Sequence, residues 1–194
     1  KEINMAYRLK NRWHDSGMND LSAKTMDECA GALAYIVWRL AKENANNLYV
    51  EFYQFKSHGQ LIVVICEYLA FEIQMADRVA YDLFDTDEER QEFIVALASS
   101  CAEHVQDNAQ DFLGKGDYKT GFINTLNQRS NEYAEYKFTE DGPSYSFTRH
   151  LGAMIQKVMG DEEVNKWVIN QVMEIDAPDI YKIIKKSMIN LLDF

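Results

Sequence analysis

The chain of 194 residues predicts one all-α, helical-bundle-like domain of seven to eight helices. Three observations carry this reading. Long stretches repeat apolar side chains at i, i+3, i+4 and i+7, the period of a half-buried helix. Only 2 Pro and 9 Gly interrupt them. Thr25-x-x-Glu28 and Thr86-x-x-Glu89 precede two of the stretches, and each has the form of a capping box, in which the two side chains satisfy each other's free backbone N–H groups.

The organising stretch is 60–84, QLIVVICEYLAFEIQMADRVAYDLF, the most apolar part of the chain. At about 100° per residue its polar side chains Gln60, Glu67, Gln74, Arg78, Asp82 and Asp85 fall on one narrow stripe. Leu61, Ile65, Leu69, Ala76, Val79 and Leu83 cover the other side, which predicts a helix buried on most of its circumference. The uninterrupted run Leu61–Cys66 is far short of the ~20 apolar residues of a bilayer span, so no membrane segment is expected. Glu72 breaks the pattern by projecting among the apolar residues. An ionised carboxylate there needs a cation, a hydrogen-bond donor or a proton, because an isolated buried charge costs several kcal/mol.

The remaining elements follow in order. Residues 2–15 read as a short helix; its His14-Asp15 pair lacks the upstream His that an HD-type metal site requires. A helix from Thr25 to Asn44 places Met26, Cys29, Leu33, Ile36, Val37 and Leu40 inward, and NANN (44–47) reads as a turn. Tyr35 and Trp38 project to its other side, either into a further packing layer or onto a partner surface. Residues 48–55 alternate like a strand but have no evident ladder partner, so a helical turn or linker is expected.

The Thr86 capping box starts a helix that runs to Leu113 and stops at Gly114. The short Asp85–Asp87 connection makes 60–84 and 87–113 an antiparallel hairpin at the centre of the domain. In that hairpin Glu72 comes level with Cys101 and His104. Tyr118–Lys137 is a polar helix with an aromatic face, and Arg129 lies within that face as the cation best placed to meet a buried acid such as Glu72. TEDGPS (139–144) is the strongest break, and the alternative to one domain divides the chain there. Three helices follow: 145–159, 161–175 with Val164, Trp167, Val168 and Ile175 inward, and 178–194 with Ile180, Ile183, Ile184, Met188 and Leu191 inward.

Composition narrows function by exclusion. A net charge of -11 disfavours binding to nucleic acid or anionic lipid, whose phosphates demand a basic surface. Three cysteines without C-x-x-C spacing predict buried thiols rather than disulfides or a zinc ribbon, the usage of a cytoplasmic protein. GxxxxGK[ST], GxGxxG, GxSxG, HExxH and EF-hand patterns are absent. Glu-x-x-His pairs of the di-iron bundles are absent too: Asn11, Phe55, Cys101 and Phe147 stand three residues before the four histidines. The leading expectation is therefore a non-enzymatic helical interaction protein, with no catalytic residue, metal or cofactor, that binds a protein partner or forms a homodimer. The dimer face would be Tyr35 and Trp38, or the C-terminal helix. A second expectation is a small-ligand pocket lined by Glu72, His104, Arg129, Asp111 and Tyr68. A third is a metal-dependent enzyme using Glu72, His104 and Asp111.

Overall fold

The computed structural model describes residues 25–192. Six helices of 15 residues or more make the fold: α1 (Met26–Val50), α2 (His58–Leu83), α3 (Asp87–Leu113), α4 (Tyr118–Ala134), α5 (Tyr145–Met159) and α7 (Ala177–Leu192). The all-α, bundle-like class is as predicted, with six such helices rather than seven to eight. The expected helix 2–15 and its His14-Asp15 pair lie outside the described residues. Residues 161–175 do not form one helix. They break into a 3-10 turn (Glu163–Asn165), the single turn α6 (Val168–Gln171) and a π turn (Val172–Asp176).

The capping box at Thr25 closes, and at Thr86 the side-chain half of the box forms. The Thr25 N–H donates to Glu28 Oε2 at 2.8 Å and the Glu28 N–H to Thr25 Oγ1 at 3.2 Å. At the start of α3 the Glu89 N–H donates to Thr86 Oγ1 at 3.2 Å, and the Thr86 hydroxyl to Glu89 Oε2 at 3.1 Å. Ser57 caps α2 by accepting from the Gln60 N–H. The turn expected at NANN is helical instead, and α1 runs on to Val50. Asn44, Ala45 and Leu48 are buried there, so tertiary packing overrides the weak helix propensity of asparagine. The helix ends at Val50 with Glu51 as its C-cap, and Phe52 beyond it has a φ of 70°, in the left-handed region.

α2 is the axis. It packs against α1, α3, α4, α5 and α7, and residues 64–76 are all buried. α1 packs on both α2 and α3, so the hairpin is covered on its α1 side. Among the described residues one buried cluster includes side chains from both sides of 139–144, Leu126 and Tyr133 before it and Phe147 and Ile184 after it. By length and composition α2 is the one described helix apolar enough to cross a membrane, and 78% of its most apolar window is buried inside the protein.

A two-residue ribbon, β1 (Phe138–Thr139) with β2 (Gly142–Pro143), joins α4 to α5. Gly142 is at φ 113°, and a Cβ there would lie 2.6 Å from the Tyr181 ring, so glycine both turns the ribbon and seats Tyr181 of α7 against it. Gly152 acts similarly on α5: a Cβ would meet the Ile169 carbonyl oxygen at 2.9 Å, so its absence lets α6 lie directly on α5.

Two apolar stripes are corrected. Val164, Trp167 and Ile175 are exposed, leaving Val168 as the buried member of its set, because the broken helix no longer presents a single face. Ile183 is 41% exposed on α7 while Ile180, Ile184 and Met188 are buried.

Candidate functional site

The residues singled out in the sequence divide into separate places. Glu72 is fully buried in α2, and neither carboxyl oxygen has a hydrogen-bond partner among the described residues. Burial drives its pKa well above the usual carboxylate range, which favours the neutral acid. Cys101 of α3 comes level with it, in the register the hairpin predicts; burial first, then Glu72, pushes that thiol's pKa up. Arg129, expected from sequence to meet a buried acid such as Glu72, meets the buried acid Glu67 instead. His104 stacks on Trp38 with ring centroids 5.8 Å apart, and burial lowers its pKa, opposed by Asp107. Asp111 is exposed, and no cluster of three His, Cys, Asp or Glu able to hold a metal exists among the described residues.

Trp38 is 2% exposed, so it belongs to an internal layer between α1 and α3, not to the partner surface proposed for it with Tyr35, which is half-buried. Tyr68 is fully buried and donates to Asp176 Oδ2 at 2.5 Å, away from the expected pocket.

The polar stripe of α2 is an internal seam rather than a solvated face. Gln60 Nε2 donates to the Val158 carbonyl of α5 at 2.7 Å, and Gln74 Nε2 to Ser130 Oγ of α4 at 2.8 Å. Between them Arg129 grips Glu67 with two bonds of 2.7 Å, from Nε and Nη2. Its Nη1 donates to Glu132 Oε2 at 2.8 Å, which also pairs with His150 Nε2 at 2.8 Å. His150 Nδ1 lies 3.2 Å from the Tyr136 hydroxyl. The seam is legible in hindsight: Gln60, Glu67 and Gln74 recur every seven residues, the spacing of a line of contact with a neighbouring helix. Each of the three Arg129 nitrogens donates to a carboxylate within the protein.

The seam runs out at Arg78, and there the surface opens. A groove of about 620 Å³ lies between the end of α2, the start of α3, the β ribbon and α7. Three cations converge on it: Arg78, Arg90 and Lys185, against Asp82 and Glu140. Two are held by aromatic rings. The Arg90 guanidinium carbon is 5.3 Å from the Tyr81 ring centre, and Lys185 Nζ is 5.6 Å from that of Tyr181. Arg90 also has Asp77 at 3.7 Å and Asp87 at 3.5 Å. Arg78 is the least satisfied: its Nη2 reaches the Tyr133 carbonyl at 3.5 Å, and its buried Nε has no partner among the described residues. Tyr81 at 66%, Leu83 at 42% and Ile189 at 42% exposure supply an apolar lining.

Sequence reasoning missed the groove because its cations come from three helices and its floor from the ribbon. No known protein family, curated protein or solved structure matches this chain.

Proposed function

We propose that the chain is a non-enzymatic helical binding protein whose groove receives a short acidic segment of a protein partner. The observation that carries this is the gathering of Arg78, Arg90 and Lys185 around exposed aromatic and aliphatic side chains, on a chain with 31 acids against 20 Lys and Arg. Carboxylates of the segment pair with the cations and set on-rate and register, while its apolar side chains lie on Tyr81, Leu83 and Ile189 and supply buried area. Arg78 is the least satisfied of the three, with one long bond of 3.5 Å to the Tyr133 carbonyl and an Nε without a partner among the described residues, and a guanidinium so placed gains from a charge-assisted bond to an incoming carboxylate.

The test is fluorescence anisotropy with a short dye-labelled peptide alternating Glu with Phe, and the same peptide with Gln for Glu. The Glu peptide binds saturably and loses affinity with added salt. Lys185→Glu and Arg78→Gln each weaken it by about five- to tenfold, a change of about 1 kcal/mol per charge contact. Equal binding of the Gln peptide, or no change in either variant, removes the reading.

A further inference from the structure

We infer a second, separate site, for a small organic amine bearing a hydroxyl or amide oxygen, in the cavity where the end of α1 meets the π turn before α7. The cavity is about 430 Å³, and Glu51, Asp176, Asp179, Asn44 and Gln171 line it with no cationic side chain among its walls.

The π turn builds it. The Ala177 N–H bonds to the Val172 carbonyl, five residues back, rather than four. In an α-helix residues five apart point about 140° away from each other. The wider winding brings Gln171 and Asp176 together, and Gln171 Nε2 donates to Asp176 Oδ1 at 3.2 Å. Tyr68 donates to the other oxygen at 2.5 Å. Asp176 is thus 5% exposed, held by two neutral donors and by no cation among the described residues. π turns of this kind recur at functional sites because they displace side chains from helical register. Burial raises the Asp176 pKa, against the two hydrogen bonds; the neighbouring acids Asp179 and Glu51 raise it further.

A second observation is independent of the acids. Asn44 is 8% exposed, and its Nδ2 is buried with no hydrogen-bond partner among the described residues. A buried amide donor left unmatched forfeits its hydration without a hydrogen bond in return. It asks for an acceptor that the cavity walls do not give it.

The two demands define the ligand. The carboxylates call for a cation, and Asn44 calls for an oxygen acceptor on the same molecule. The acids do not converge closely enough to form a metal-binding cluster, which favours an extended ligand over a metal ion. A carboxylate on the ligand is disfavoured, since it enters a cavity lined by three acids. Asp179 has Lys182 at 3.0 Å, but that pair is exposed and readily exchanged for a ligand ammonium group.

Ethanolamine, ethylamine and ethylene glycol test this by saturation-transfer NMR on the full chain. Ethanolamine binds saturably, ethylene glycol does not, and ethylamine binds more weakly than ethanolamine. Asp179→Asn, at an exposed side chain, weakens both amines by about fivefold or more, the worth of one charge-assisted hydrogen bond. Asn44→Ala weakens ethanolamine to the level of ethylamine and leaves ethylamine unchanged. Absence of saturable ethanolamine binding overturns the inference, as does binding that neither variant alters. The groove of α2 and α7 is untouched by either substitution, so the outcome is independent of the peptide experiment.

Discussion

Arg129→Met is expected to lower the unfolding free energy by about 3–5 kcal/mol, the usual cost of stripping one partner from a buried ion pair. Glu67 is 3% exposed and has both carboxyl oxygens bonded to this guanidinium at 2.7 Å. Without Arg129 its charge has no counter-ion in the seam. Arg129→Lys recovers little, because an ammonium cannot reproduce the planar double contact with Glu67 while also reaching Glu132. The double variant Glu67→Leu with Arg129→Met recovers most of the loss, since two apolar groups of similar size need no pairing. Urea midpoints at constant slope measure all three. A double variant that simply adds the two single losses would mean the pair is not coupled.

Glu132 adds a pH signature to the same network. Burial alone raises its pKa, but hydrogen bonds from Gln128 and His150 and the charge of Arg129 outweigh that and lower it. A carboxylate lowered in the folded state gives stability that is present above its unfolded pKa and is lost as pH falls through the folded one. Arg129→Met flattens that acid limb.

Glu67 also shows where the sequence stopped being readable. The fold was legible because it rests on local rules: helix caps at Thr25 and Thr86, a three-residue connection, and the apolar run of α2. Burial of Glu72 was legible for the same reason, as one projection on one helix. Which helix a polar stripe faces is not a local property. Gln60, Glu67 and Gln74 look solvated on a helical wheel, yet α4 and α5 close over them. Trp38 left two alternatives open, a packing layer or a partner surface, and only the neighbouring helix decides: its outward direction from the α1–α2 contact points at α3 and His104. The middle helix of the C-terminal trio was misread for another reason, while 145–159 and the last helix form as expected. Residues 161–175 carry a helical pattern, but the close approach at Gly152 and the bonds of Asp176 to Tyr68 and Gln171 break it. The candidate groove and the amine cavity both sit at such junctions, where several elements contribute one or two side chains each.

Glu72→Leu is expected to stabilise the protein by about 1–3 kcal/mol at neutral pH, raising the melting temperature by several degrees. The natural residue is fully buried with both carboxyl oxygens unmatched among the described residues, so its side chain carries a desolvation cost and returns no hydrogen bond. Leucine has nearly the same volume and keeps the packing of the hairpin. The pH dependence separates this from a mere packing gain. Burial raises the folded-state pKa of Glu72 well above the ordinary value, so the folded chain holds a proton that the unfolded chain releases. Stability then falls as pH rises above the unfolded carboxylate pKa, and it keeps falling until the folded group itself ionises. Glu72→Leu removes that slope, so its advantage over the natural chain is smallest in mild acid and grows toward neutrality. Glu72→Gln removes the slope as well but leaves two buried polar atoms, so it gains less than leucine. Thermal melts across that pH range decide the matter. A leucine variant that is less stable at every pH would show that the carboxyl group has a partner it cannot lose, and would return Glu72 to the list of binding residues.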